Sequence, residues 1–154
     1  MTATTWIVVA DSSAARIFGA DEPTGPIKEL EAMTHPEGRM LARELTSDLP
    51  GRAFDSAGQG RHTMESEVGP RQQAAIDFAN FLAKRLEKAR VQGEADRVVL
   101  VSPPDFLGLM RKSMAEQTRR LVVLELDRNF VRLSPKEIRE RLPERLYEAP
   151  FARP

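Results

Sequence analysis

The chain has 154 residues, no net charge, 41% hydrophobic and 30% charged residues, and no cysteine. That length falls within the usual size of one domain and buries a core without covalent staples, so a single domain over residues 1–154 is expected. The cysteine-free composition excludes disulfides, thiolate metal sites and a cysteine nucleophile, and it fits a reducing cytoplasm.

The first stretch, "TWIVVAD" (5–11), is apolar and β-branched and closes on the turn signal Asp11-Ser12-Ser13; "ARIFGA" (15–20) follows at once, which predicts a hairpin. The opening residues lack a basic region, and their apolar run is short, so neither a secretory leader nor a membrane span is expected there. The expected setting is cytoplasmic, with no membrane partner. "DEPTGP" (21–26) is a second turn cluster, and "IKELEAM" (27–33) alternates Ile27, Glu29, Glu31 and Met33 against Lys28, Leu30 and Ala32, the pattern of a polar edge strand.

About 35 residues then pass before the next periodic segment, far more than usually join neighbouring elements. Within them, "RMLARELTSD" (39–48) predicts a short helix through Leu41 and Leu45, and Leu49-Pro50-Gly51-Arg52 suits a type II turn. From Gly69-Pro70 the spacing of Ala75, Phe78, Ala79, Leu82, Ala83 and Leu86 predicts a helix over about 70–92. "DRVVLVS" (96–102) reads as a strand buried on both faces. Ser102-Pro103-Pro104-Asp105 predicts an N-cap and first turn for a helix carrying Phe106, Leu107, Met110 and Met114. "RLVVLELD" (120–127) is a further strand, and Ser134-Pro135-Lys136-Glu137 opens a last helix with capping-box spacing, with Ile138, Leu142 and Leu146 four apart and Pro143 ending or kinking it.

The order βββαβαβα, with hairpins first and crossovers after, predicts an α/β fold: a mixed five-stranded sheet in spatial order 3-2-1-4-5, helices on its faces, of the ribonuclease-H-like type.

Charge is unevenly distributed along this order. Residues 1–34 hold 2 basic and 5 acidic side chains, residues 35–69 hold 4 and 6, and residues 70–154 hold 17 and 12. The basic excess of the last stretch, with "KRLEKAR" (84–90) and "RKSMAEQTRR" (111–120) read as surface faces of two helices, suits either RNA phosphates or an ordinary solvated surface.

The aperiodic stretch "PGRAFDSAGQGRH" (50–62) is the place to look for function. Gly58 and Gly60 permit close approach of another backbone or a ligand, while Arg52, Arg61 and His62 offer donors suited to phosphate. A compact surface loop whose glycines only shape turns accounts for the same composition.

"TWIVVADSSAARIF", "HPEGRMLARELTSDLPGRAFDSAGQGRH" and "VVLVSPPDFLGLMRK" together resemble the bacterial host-attachment-protein family. That family is in turn similar to the middle domain of eukaryotic and archaeal peptide-chain release factors, where the loop after the third strand bears Gly-Gly-Gln and helps water cleave peptidyl-tRNA. The resemblance implies a loop aimed at the ribosome or tRNA, with Gln59 in the catalytic place and Arg52, Gly58, Gly60, Arg61 and His62 as RNA contacts. Here the glutamine sits in Gly58-Gln59-Gly60, with one glycine before it rather than two. Peptidyl-tRNA hydrolysis is therefore the most that the resemblance implies, and no codon-reading domain accompanies it.

Two other classes compete. A non-catalytic interaction module, homodimeric in one form, would use the same loop to dock a partner. A two-metal nuclease needs carboxylates from the first strand, first helix and fourth strand; Asp11 sits at the first place, but Asp77 belongs to an otherwise apolar helix and Asp105 lies beyond the strand. Asp11 as a hairpin-turn residue capping local amides is the reading its position favours. With His35 and His62 the only histidines, and no zinc or serine-hydrolase motif, no metal and no cofactor are expected. The ends of strands one and four should meet at a topological switch point, where open α/β sheets bind ligands. Trp6 is expected in the core.

Overall fold

The structure, a computed structural model, describes residues 4–34 and 69–147. The expected helix at 39–48 and the turn at 49–52 lie outside the described residues.

Five strands and four helices follow in chain order among the described residues: β1 (Thr5–Ala10), β2 (Ala14–Ala20), β3 (Lys28–Thr34), α1 (Pro70–Val91), β4 (Arg97–Val101), α2 (Pro104–Ser113), α3 (Glu116–Arg119), β5 (Val122–Leu126) and α4 (Pro135–Arg141). The strands form one sheet in the order β3-β2-β1-β4-β5. β2 runs antiparallel to β1 and to β3, whereas β4 runs parallel to β1 and to β5. This is the expected ribonuclease-H-like mixed sheet.

β1 is buried at every position because it lies in the middle of the sheet with both faces covered. Trp6, Val8 and Ala10 point to one face, where Phe78, Leu82 and Leu86 of α1 and Phe106 and Met110 of α2 close over them. Ile7 and Val9 point to the other, under Phe130, Ile138, Leu142, Leu146 and Tyr147. The helical spacing read along α1 is thus the spacing of its buried side. Trp6 is 4% exposed, with the Arg85 guanidinium 5.0 Å from its ring.

At α4 the sequence signals translate directly into geometry. Ser134 Oγ accepts from the Glu137 N–H (3.1 Å), and Glu137 Oε1 accepts from the Ser134 N–H (2.9 Å), a complete capping box. The helix stops at Arg141, two residues before Pro143. Leu142 and Leu146 are therefore buried beyond the helix rather than along it.

Three local expectations are corrected. Ser102 does not cap α2: Pro103 occupies the N-cap, and the buried Ser102 hydroxyl donates to the Pro103 carbonyl at 3.3 Å. Residues 111–120 are not one basic helix, because Met114 and Ala115 take extended conformations that end α2 and begin the single turn α3. In β3 the strict alternation fails: Ile17 pairs with Glu31 and Phe18 with Glu29, so Leu30 is an extra residue in a bulge. The bulge sends the two glutamates to opposite faces, Glu29 to Arg16 and Glu31 to Arg85.

The central strand sets the stability. Ile7→Ala, at a fully buried position, is expected to cost about 2–5 kcal/mol, and Leu30→Ala, at a half-exposed one, less than about 1 kcal/mol. Denaturant midpoints at unchanged slope measure both.

Candidate functional site

Because β2 opposes both its neighbours, β1, β3, β4 and β5 all run in the same sense and their carboxyl ends share one edge of the sheet. The end of β3 lies on this edge, with Thr34 paired to Ala14. The start of α1 lies there too. Its far end sits at the opposite edge, where Ala89 O accepts from the Glu94 N–H and the Asp96 N–H donates to Thr4 O, both at 2.8 Å. The helix has 22 residues, or about 33 Å of rise, which exceeds the depth of the sheet. Phe78, in the first half of α1, has its ring 5.9 Å from that of Phe106, in the first turn of α2 just past the end of β4. Thr34 and Gly69, the described residues that bracket segment 35–68, thus both lie toward the carboxyl edge. Arg52, Gly58, Gln59, Gly60, Arg61 and His62 belong to it and lie outside the described residues.

The same edge carries the switch point. Val9 pairs with Val101, which sets Asp11-Ser12-Ser13 beside Ser102-Pro103. Asp11 Oδ1 accepts from the backbone N–H groups of Ser13 (2.8 Å) and Ala14 (2.9 Å), the turn-capping role its position suggests. Its other oxygen accepts from Asn129 Nδ2 at 3.1 Å, tying the hairpin to the loop that follows β5. Asn129 Oδ1 in turn accepts from the Val131 N–H at 3.0 Å.

Arg16 holds that loop from the other side. Its guanidinium grips Glu29 in a two-pronged pair, both contacts 2.9 Å, and its remaining Nη1 donates to the carbonyls of Val131 (2.8 Å) and Leu133 (2.5 Å). Hydrogen bonding to Arg16 lowers the Glu29 carboxyl below its ordinary value, against a smaller opposing effect of burial. Arg85 does the same for Glu31 on the opposite face. Neither Arg16 nor Asn129 stood out in the sequence, since an arginine in an alternating strand reads as solvent-facing and an asparagine after a strand reads as turn. The only local signal was the turn-rich run Asp127-Arg128-Asn129.

The described residues of this edge form a braced platform. Asp77 is exposed and accepts from Gln73 Nε2 at 3.0 Å, whereas the Asp11 carboxylate is taken up by Ser13, Ala14 and Asn129. Asp105 is exposed in the first turn of α2, where it favours the helix dipole. Among the described residues no group of three histidine, aspartate or glutamate side chains is placed to hold a metal ion, and no helix is long and apolar enough to cross a membrane.

The family described as "Protein required for attachment to host cells" matches residues 6–142. No curated protein matches the chain. Among solved structures, the chain is similar to the type II variant of the Aquifex aeolicus Ppx/GppA phosphatase at 12% identity and a TM-score of 0.39, over 80% of this chain and 35% of that one. The chain thus spans about a third of that phosphatase.

Two outcomes test the platform. Asp11→Ala removes the acceptor of two turn amides and is expected to cost about 1–3 kcal/mol; Asp11→Asn keeps an oxygen for them and should cost less, by thermal or denaturant unfolding. Glu29 and Glu31 have folded values below their ordinary 4.5. Their contribution is therefore complete above about pH 4.5 and is lost as pH falls through the depressed values. Melting temperature followed downward from pH 6 should drop, and Glu29→Gln with Glu31→Gln should flatten that drop.

Proposed function

Since the chain belongs to the family of proteins required for attachment to host cells, we propose that it works as a cytoplasmic RNA-binding module that reaches the ribosome or tRNA with residues 50–62. The observation that carries this reading is the placement of both flanks of segment 35–68 on the carboxyl edge, beside a hairpin and loop fixed by Asp11 and Arg16. Binding residues are commonly carried by loops held on a rigid scaffold, and closing a long loop costs only slowly more as it lengthens. In this reading Arg52, Arg61 and His62 contact phosphate, Gly58 and Gly60 admit the RNA backbone, and Gln59 presents its amide to the bound end of the nucleic acid.

Binding, rather than hydrolysis, is the primary activity on this reading, because Gln59 lacks the second preceding glycine of the release-factor loop it resembles. Hydrolysis would be assigned to Gln59 only if peptide release from peptidyl-tRNA complexes is observed and disappears in Gln59→Ala.

Co-sedimentation with ribosomes is the direct test. Binding is expected to weaken steeply with salt, and the doubly substituted Gly58→Ala/Arg61→Ala chain to lose most of it. Loss of one phosphate contact should reduce the magnitude of the log–log salt slope by about 0.7–0.9, and Arg52→Ala should act similarly. Equal sedimentation of wild type and double variant, or none at low salt, overturns the proposal.

A further inference from the structure

β5 is the last strand of the sheet, and its outer edge is unpaired among the described residues. Leu126 O accepts from the Ser102 N–H at 3.0 Å, so Leu126 bonds inward to β4. Its neighbour Glu125 therefore turns its N–H and C=O outward, by the alternation of a parallel ladder. Such an edge is a template for another strand.

The surroundings of this edge say what kind of strand. Two grooves of about 690 and 700 Å³ meet along β5 and share Arg111 and Glu125. Their floor is apolar: Leu107, Met114, Val122, Leu124, Leu126 and Phe130. Val123, at the rim, is 46% exposed. Around this floor stand the cations Arg111, Arg119, Arg120, Arg128 and Arg141, against only Glu116, Glu125 and Asp127.

Each of those three acids is already paired, Glu125 with Arg111, Glu116 with Arg120 and Asp127 with Arg128. Arg119 makes no side-chain hydrogen bond or ion pair among the described residues. Arg141 donates only to the Glu137 carbonyl, at 3.3 Å, although its charge is felt by the Glu137 carboxylate. Arg119 lines the groove that takes in Val122, Val123 and Leu124, and Arg141 the groove that takes in Leu126 and Asp127. The five residues of β5 amount to about 17 Å of extended chain.

We propose that the outer edge of β5 accepts an extended acidic peptide segment of a partner protein by strand addition, with carboxylates at its two ends meeting Arg119 and Arg141. Apolar side chains of the segment cover Val123 and the groove floor, and main-chain bonds to Glu125 fix its register. A second copy of this chain fits less well. It would bring one net-positive groove against another. A nucleic acid would meet the arginines but leave the outward amides without a ladder partner.

The test uses the full chain and a fluorescein-labelled synthetic peptide of alternating valine and threonine with aspartates at both ends. Fluorescence anisotropy should show saturable binding that Arg119→Glu/Arg141→Glu weakens about tenfold or more. Both sites are exposed, so the variant should stay folded, with a melting temperature lowered only slightly by the new like-charge pair with Glu137. N-methylation of alternate peptide amides should weaken binding to a similar degree, and the amide resonances of residues 123–127 should shift on titration. Equal binding of a lysine-ended peptide, indifference to the arginine reversals, or full binding of the N-methylated peptide overturns the proposal. Displacement of the peptide by an equimolar single-stranded RNA reassigns the groove to nucleic acid. A dimer that excludes the peptide and is dissolved by Val123→Lys reassigns it to a second copy.

Discussion

The pairing of β1 with an antiparallel strand on one side and a parallel strand on the other is the constraint from which the rest of the molecule follows. Every residue of Thr5–Ala10 is buried, and the strand bonds to β2 and to β4 along its length. A strand buried on both faces needs a layer on each, which is why one helix pair covers Trp6 and Val8 while the segment around α4 covers Ile7 and Val9. The same pairing decides where chain direction changes. To one side the chain returns by a tight turn through Asp11; to the other it must cross over and begin again at the opposite edge. The chain therefore leaves the ends of β1 and β4 in different directions at Asp11 and Pro103.

The polar interactions organise this frame more than they hold it together. All seven ion pairs among the described residues use arginine, though lysines are also present. Pairs at this level of exposure are worth only about 0–1 kcal/mol each, so burial of the two apolar clusters must dominate. What arginine adds is geometry, because a planar fork fixes two groups at once. Arg16 binds Glu29 and two carbonyls of the loop after β5, and Arg85 joins Glu31 to Glu94 while lying over Trp6. Each ties an edge of the sheet to the layer above it.

The sheet order and the starts of α1 and α4 were legible because they rest on period and punctuation. The continuous apolar runs at 5–10 and 97–101 marked the central strands, and Ser134-Pro135 with Glu137 marked a capping box that the structure contains. What escaped was whatever depends on a single inserted residue or a long reach. The extra Leu30 in β3 puts Glu29 and Glu31 on opposite faces, and no local pattern announces a bulge that is settled by two arginines distant in sequence. Ser102 looked like a cap because serine before proline often is one, yet here the chain remains extended through Pro103 and buries the hydroxyl. For the candidate site, composition singled out residues 50–62 and Asp11, whereas the bracing by Asn129 and Arg16 needed the register of the sheet to become visible.

The zero net charge conceals a division of labour. In the described residues the glutamates and aspartates are largely engaged: Glu29 and Glu31 with Arg16 and Arg85, Glu87 with Arg90, Glu125 with Arg111, and Asp11 with turn amides. Internal pairing of this kind neutralises equal numbers of each sign and leaves the basic excess of residues 70–154 to the surface. That excess is not smeared uniformly, because Arg119, in α3, and Arg141, at the end of α4, line the grooves along the outer edge of β5 and pair with no carboxylate among the described residues. Cations left over after the fold has satisfied itself exert attraction at the range of the Debye length, about 8 Å at physiological salt. In a chain with no net charge to steer by, such local surpluses are where an anionic partner would be oriented on approach.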